Sequence, residues 1–70
     1  SFIDIIETMK ANNIEPKKIQ FIYPKFDSES NLVLIEGTLN GKSGLKILKP
    51  IYVYNETNEY TDDIKKILSE

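Results

Sequence analysis

The sequence predicts an α/β fold, of the α+β kind when the chain stands alone: a helix, an antiparallel strand pair, an extended strap and a short C-terminal helix. Three observations predict it. Apolar residues recur at helical spacing near the start of the chain. Two runs rich in β-branched and aromatic residues flank a polar loop. A capped amphipathic stretch closes the sequence.

The first helix is predicted over residues 1–13. Ser1 and Asp4 fit the S-x-x-D capping box that begins many helices. Asn12 and Asn13 suit its end because Asn tolerates the left-handed conformation, and Pro16 prevents continuation. The predicted apolar face, at spacings of three and four, consists of Phe2, Ile5, Ile6, Met9 and Asn13.

Two neighbouring antiparallel strands are predicted over residues 18–23 and 31–38, joined by the polar loop 24–30. The second strand holds four consecutive apolar residues, from Leu32 to Ile35. A strand with one wet face alternates apolar and polar residues, and this one does not. We therefore expect both of its faces to be covered, which a chain of 70 residues can hardly achieve alone.

The rest of the chain predicts a strap over residues 45–54 and a short helix over 61–69. Pro50 interrupts the extended stretch, so it suits an edge strand or strap rather than a central strand. Thr61 is a good N-cap, and the acids that follow it suit a helix N-terminus. The apolar stripe of this helix is predicted to be Ile64, Ile67 and Leu68.

Composition excludes several classes of function. The chain has nine Lys, no Arg, no His, no Cys and a formal net charge of −2, which argues against a dedicated nucleic-acid binder. No apolar run approaches the roughly 18 residues of a membrane span, and no signal peptide is evident. We expect a cytoplasmic protein without membrane contact. A start on Ser1 and Phe2, without Met, suits a processed or excised piece.

Short motifs in the sequence allow alternative interpretations. The stretch GTLNGKS, residues 37–43, has one residue too few for a phosphate-binding loop and lacks a following helix, so a turn is favoured. Asn55–Thr57 formally fits a glycosylation acceptor, which we attribute to chance. Lysines 17, 18, 42, 46 and 49 could contact phosphates or simply be solvated. Tyrosines 23, 52, 54 and 60 could stack on bases or fill a core edge.

Read in order, the segments NLVLIEG, GLKILKPIYVY and EYTDDI resemble the C-terminal end of bacterial S-adenosylmethionine-dependent methyltransferases. The resemblance is to the tRNA1(Val) adenine-N6 methyltransferases and their small-domain relatives, and it extends from Ile14 to about Leu68. It implies the C-terminal end of a class I, Rossmann-like fold, whose last strand is antiparallel and lies between the fifth and sixth. Residues 1–13 would precede the sixth strand, 18–23 would form it, and 31–38 would form the seventh.

The resemblance also implies which parts are missing. The sequence has no G-x-G-x-G loop for S-adenosylmethionine and no Asn-Pro-Pro-aromatic motif for the target amine. We therefore expect no catalytic, cofactor-binding or metal-binding residue in this chain. S-adenosylmethionine would be bound by the parent enzyme only.

Because the resemblance assigns the catalytic and cofactor-binding residues to the rest of the enzyme, the candidate site residues in this chain are substrate contacts only. Because ligands lie at the carboxyl ends of parallel strands, Tyr23 and Lys25 are possible RNA contacts. Lys42 and Lys46 are further possible RNA contacts because their charge suits phosphate groups. The expected partners are the N-terminal remainder of the methyltransferase domain and tRNA. The isolated chain is expected to form a homo-oligomer through strand 31–38. The alternatives are a small self-associating interaction module, another methyltransferase fragment with weak RNA contact, or a small nucleic-acid binder using Lys25, Lys42 and Lys46.

Overall fold

The computed structural model describes residues 1–30 and 32–69. Over these residues the fold is α+β, with a mixed four-stranded sheet and two helices. In chain order the elements are α1 (Phe2–Ala11), β1 (Ile14–Tyr23), β2 (Leu32–Leu39), β3 (Lys46–Ile47), β4 (Ile51–Tyr52) and α2 (Asp62–Leu68). Neither helix is long and apolar enough to cross a membrane in this part of the chain.

Strand β1 is the centre of the sheet. It pairs antiparallel with β2, which confirms the predicted strand pair, and its other edge pairs parallel with β3 and then β4. It begins at Ile14 rather than at residue 18, and the register shifts between Pro16 and Lys18. Such a bulge tolerates a proline inside a strand. The predicted first residue of the second strand, Asn31, lies outside the described residues.

The strap predicted over residues 45–54 is extended in the structure and carries both short strands. Pro50 lies between β3 and β4, and it limits each of them to two residues. Leu48 lies between β3 and β4, and its backbone N–H donates to the carbonyl of Ile19 at 2.8 Å. The pairing with β1 therefore continues between these two short strands. The strap therefore runs along β1 as an interrupted parallel strand.

Helix α1 begins with the predicted capping box. The hydroxyl of Ser1 donates to the Asp4 carboxylate at 2.9 Å, and this hydrogen bond lowers the pKa of Asp4. The helix ends at Ala11, before the predicted end, because Asn13 adopts a left-handed φ of 61° and turns the chain into β1. Asn13 is therefore exposed and outside the apolar face, and Ile5 is also exposed.

The two faces of the sheet differ. Ile19 pairs with Ile35 and Phe21 with Val33 on the face that α1 covers, which we call the helix face. The rings of Phe2 and Phe21 pack there with centroids 5.8 Å apart, and Ile19 is only 2% exposed. On the opposite face, which we call the open face, Leu32 is 54% and Leu34 is 50% exposed. The apolar run from Leu32 to Ile35 is thus covered on one side only.

Helix α2 covers the β4 side of the open face. Thr61 caps it by accepting from the backbone N–H of Ile64 at 3.4 Å, as predicted. Ile51 of β4 is 9% exposed. Only Ile64 of the predicted stripe is half-buried, because the two-residue β4 offers little surface for Ile67 and Leu68.

The molecule is wide and flat, with principal extents of 43 × 26 × 16 Å. Its radius of gyration is 14.4 Å, whereas about 11 Å is typical of a compact domain of this length. It exposes 5519 Å², whereas about 4500 Å² is expected for a folded monomer of this mass. About 1000 Å² more surface is therefore exposed than a closed domain would leave.

Candidate functional site: an aromatic groove

The four residues predicted to contact RNA lie in two groups. Tyr23 ends β1 and Lys25 follows it, whereas Lys46 lies opposite Lys18 in the middle of the strand. Lys42 belongs to that second group, since its carbonyl accepts a hydrogen bond from the Nζ of Lys17. The stretch from residue 18 to 23 spans about 16 Å of strand, so the two groups cannot contact the same nucleotide.

An aromatic groove lies at the carboxyl ends of β1 and β4. Its volume is about 480 Å³, and it is open to solvent. We call it the aromatic groove, and it is lined by Phe26, Tyr52, Tyr54, Thr61 and residues 55–57. Phe26 comes from the loop after β1, and the rest come from β4 and the segment that follows it.

Two stacked tyrosine pairs form and support the aromatic groove. Tyr23 stacks on Tyr52, with centroids 5.4 Å apart and planes inclined by 30°. Tyr54 stacks on Tyr60 at 5.5 Å and 17°. The first pair is half-buried, while Tyr54 and Tyr60 are 38% and 45% exposed. The tyrosines therefore stack on one another, and the second pair also presents ring surface to solvent.

Backbone hydrogen bonds hold the strand that carries these rings against β1. The N–H of Val53 donates to the carbonyl of Tyr23 at 2.9 Å, and the N–H of Tyr54 donates to that of Pro24 at 2.8 Å. The hydroxyl of Thr61 donates to the carbonyl of Tyr52. The groove is thus fixed to the central strand on one side and to the start of α2 on the other.

A tight turn closes the groove. The Oδ1 of Asn55 accepts from the backbone N–H of Thr57 at 2.9 Å and from the N–H of Glu59 at 3.1 Å. The hydroxyl of Thr57 lies 2.8 Å from this oxygen and 2.9 Å from the Glu59 carboxylate, and its single proton serves one of the two acceptors at a time. Asn58 has a left-handed φ of 61°, which Asn accommodates readily. Asn55, which fits a glycosylation acceptor in the sequence, uses its side-chain oxygen to hold this turn.

The groove is acidic. Glu56 lines it, and no lysine does. Glu59 lies beside it, since its carboxylate is 2.9 Å from the Thr57 hydroxyl, and Asp27 directly follows Phe26. The half-buried Lys25 is the cation nearest in sequence to this end of β1. The end that was predicted to face the substrate therefore carries more negative than positive charge.

A basic surface lies beside the middle of β1. We call Lys17, Lys18, Lys42 and Lys46 the lysine patch, and two of its members are already engaged. Lys17 donates to a carbonyl, and Lys18 lies 4.0 Å from the carboxylate of Glu36. Lys42 and Lys46 are exposed. Surface ion pairs of this kind contribute little to stability, about 0–1 kcal/mol, so the patch is a solvated surface with little fixed geometry.

The stretch GTLNGKS forms the turn predicted for it. Gly37 lies within β2, Asn40 turns the chain with a φ of 55°, and no helix follows Gly41. A phosphate loop needs a helix N-terminus at this point, so the turn is confirmed as the better interpretation.

The groove is suited to binding by stacking and hydrogen bonding. No group of three or more His, Cys, Asp or Glu side chains in residues 1–30 and 32–69 is arranged to hold a metal ion.

The sequence alone does not connect Phe26 with residues 55–57, which line the groove together. The available signal was the density of aromatic and turn residues in YVYNETNEYT, where Tyr54 and Tyr60 flank a turn.

No protein-family model and no curated protein matches the chain.

Proposed function

We propose that the chain is the C-terminal structural part of an S-adenosylmethionine-dependent N6-adenine tRNA methyltransferase and is not catalytic alone. The observation that carries the proposal is strand β2. Its run of apolar residues is covered on one face only, and β1 is its only partner among the described residues. Such a strand suits a central position in a larger sheet.

The open face supports the same interpretation through its chemistry. Leu32 and Leu34 are about half-exposed, although they lie within a strand whose neighbouring residues Val33 and Ile35 pack on the helix face. Covering a strand on both faces is the arrangement in α/β sheets, where helices flank the sheet on each side. An N-terminal remainder would supply the second layer.

The amount of exposed surface is also of the right size. The excess of about 1000 Å² over a closed domain compares with the roughly 800 Å² that each partner buries in a standard protein interface. One partner docked on the open face and the free edge of β2 would restore an ordinary surface.

The element order fits the C-terminal end of the class I methyltransferase fold. Helix α1 would precede the sixth strand, β1 would be that strand, and β2 would be the antiparallel seventh. β3 and β4 would lie on the outer edge of β1. S-adenosylmethionine and the target adenine would be held by the N-terminal remainder, near the carboxyl ends of its strands.

Methyl transfer to tRNA tests the proposal. The natural gene product that contains this chain is incubated with tRNA and methyl-labelled S-adenosylmethionine, and the digested tRNA is analysed for N6-methyladenosine by mass spectrometry. We expect the product in this reaction and none with the 70-residue chain alone. Adding the chain to a separately produced N-terminal remainder should restore the product.

Two variants make the reconstitution specific. Leu34→Lys places a charge on the open face and should prevent restoration, whereas Leu45→Lys, at a residue that is 51% exposed outside the strands, should allow it. A natural gene product without an Asn-Pro-Pro-aromatic motif, or methylation by the 70-residue chain alone, would contradict the proposal.

A small self-associating interaction module is the second candidate. The same free edge and open face favour it, because unpaired strand edges recruit other chains. Sedimentation at micromolar concentration distinguishes the two for the 70-residue chain. A homo-oligomer that Leu34→Lys converts to a monomer supports self-association, and a stable unmutated monomer excludes it.

A further inference from the structure

We infer that the aromatic groove binds a cationic side chain, arginine or lysine, presented by a segment of a partner protein. The inference rests on the groove's rings, its charge and its rigidity. It does not depend on the methyltransferase proposal, because every feature it uses lies within residues 23–61.

Aromatic rings supply the binding surface. Phe26 is 64% exposed and Tyr54 is 38% exposed, and both line the groove together with Tyr52. The face of an aromatic ring carries partial negative charge, so it attracts an ammonium or guanidinium group. The aliphatic stem of arginine or lysine packs on the same apolar surface while its charged end reaches water or a carboxylate.

Charge decides between a cationic and an anionic ligand. Glu56 lines the groove, and within the described part of the chain no cation lies within 4.0 Å of its carboxylate. Glu59 adds a second negative charge through its contact with Thr57, whereas Lys25 and Asp27, which flank Phe26 in sequence, carry opposite charges that offset each other. Phosphate groups of a nucleic acid would be repelled by these carboxylates, whereas a basic side chain is attracted to both the acids and the rings.

The groove is also preorganised. The two backbone hydrogen bonds that Asn55 accepts from Thr57 and Glu59, and the stacking of Tyr54 on Tyr60, hold the turn without a ligand. Binding therefore needs little ordering of the groove, which is a main cost of association. A volume of about 480 Å³ accommodates one long side chain and part of its backbone.

Peptide titration of the full-length natural gene product tests the inference. The probe is an acetylated, amidated Gly-Ser-Arg-Gly-Ser peptide, and its matched control contains citrulline, which is neutral and nearly isosteric with arginine. We expect the arginine peptide to shift the backbone amide NMR signals of residues 52–61. The citrulline peptide should bind about fivefold more weakly, which corresponds to the loss of a cation–π contact.

Variants locate the effect. Glu56→Gln should raise the Kd of the arginine peptide about threefold, as expected for an exposed ion pair, and Phe26→Ala should raise it by a similar factor. Glu7→Gln removes the same charge from the exposed side of α1 and should leave the Kd unchanged. Because Glu56, Phe26 and Glu7 are all exposed, the three variants should fold equally well, which circular dichroism checks.

Three outcomes would overturn the inference. Equal binding of the arginine and citrulline peptides would exclude recognition of the cation. Equal weakening by Glu56→Gln and Glu7→Gln would indicate only a general attraction to a negatively charged protein. Shifts of residues 52–61 by a single-stranded hexa-adenylate, without shifts by the arginine peptide, would assign the groove to nucleic acid. Failure of tRNA methylation leaves this test unaffected.

Discussion

The two faces of the same sheet differ in how completely their side chains are covered. On the helix face, Ile19 is 2% exposed beneath α1, and the packed rings of Phe2 and Phe21 extend this cover. On the open face, Leu34 is 50% exposed, although it lies on β2 beside Ile35, which packs on the helix face. Within the run from Leu32 to Ile35, strand β2 is as apolar on one side as on the other, yet the described residues cover only the helix face.

This difference shows what an unbroken run of apolar residues indicates about the surroundings of a strand. Alternation is lost when a strand has two dry faces, so the run from Leu32 to Ile35 indicates a second layer. The described chain provides only α2 on that side, and α2 packs over Ile51 rather than over β2. The pattern in the sequence therefore predicts cover on a second face, which the described residues do not supply for β2.

The largest effect is expected on the helix face. Replacing Ile19 by alanine should lower the free energy of unfolding by about 3 kcal/mol, because a fully buried side chain leaves a cavity. Urea unfolding followed by circular dichroism measures the change. Ile47→Ala is the matched control, since Ile47 is 63% exposed and should cost less than about 1 kcal/mol. If the two variants lower the free energy of unfolding equally, Ile19 is not part of a packed core on the helix face.

Gly37 tests how closely α1 lies on the sheet. A Cβ at this position would lie 2.6 Å from Cγ2 of Ile14 and 2.6 Å from Cε of Met9. Gly37→Ala should therefore cost about 2 kcal/mol through overpacking. The double variant with Met9→Ala should recover part of this loss, because the clash with the methionine disappears. An additive double-mutant cycle in urea unfolding would show that α1 does not press on Gly37.

Thr61 tests the limited cover on the open face. Its hydroxyl accepts from Ile64 and donates to Tyr52, so it joins α2 to β4. Thr61→Ala should lower the free energy of unfolding by about 1 kcal/mol, the usual value of an N-cap. Thr61→Ser keeps the hydroxyl and should lower the free energy of unfolding by only a few tenths of a kcal/mol. If serine and alanine are equally destabilising, the methyl group rather than the cap holds α2.

Much of the fold could be predicted from local signals. The capping box of Ser1 and Asp4, the cap at Thr61 and the antiparallel strand pair are all readable from neighbouring residues. The early start of β1 could not be predicted in this way, because a proline ordinarily ends a strand. Only the bulge after Pro16 allows the strand to include this proline. The parallel pairing of the strap with β1 depends on contacts about 28 residues apart, which periodicity does not encode.

The site was harder to predict than the fold. The sequence makes Tyr23 a possible base-stacking residue, and in the structure its ring stacks on Tyr52. Lys42 and Lys46 were grouped with Lys25 by charge alone, and the structure separates them along β1. The groove unites Phe26 with Tyr54, which are far apart in sequence and meet only because β4 runs parallel to β1.

For the 70-residue chain the smallest effect is expected at Leu34, and this position tests the comparison most directly. Leu34→Thr keeps a residue that suits strands, so in the 70-residue chain it should change the free energy of unfolding by about 0.5 kcal/mol or less. In the full-length natural gene product the same change should cost about 2 kcal/mol, because there the proposed second layer would bury the side chain. Urea unfolding of both proteins gives the two values. A cost in the 70-residue chain as large as that of Ile19→Ala would mean that its open face is already covered. Dependence of that cost on protein concentration would then identify a second copy of the chain as the cover.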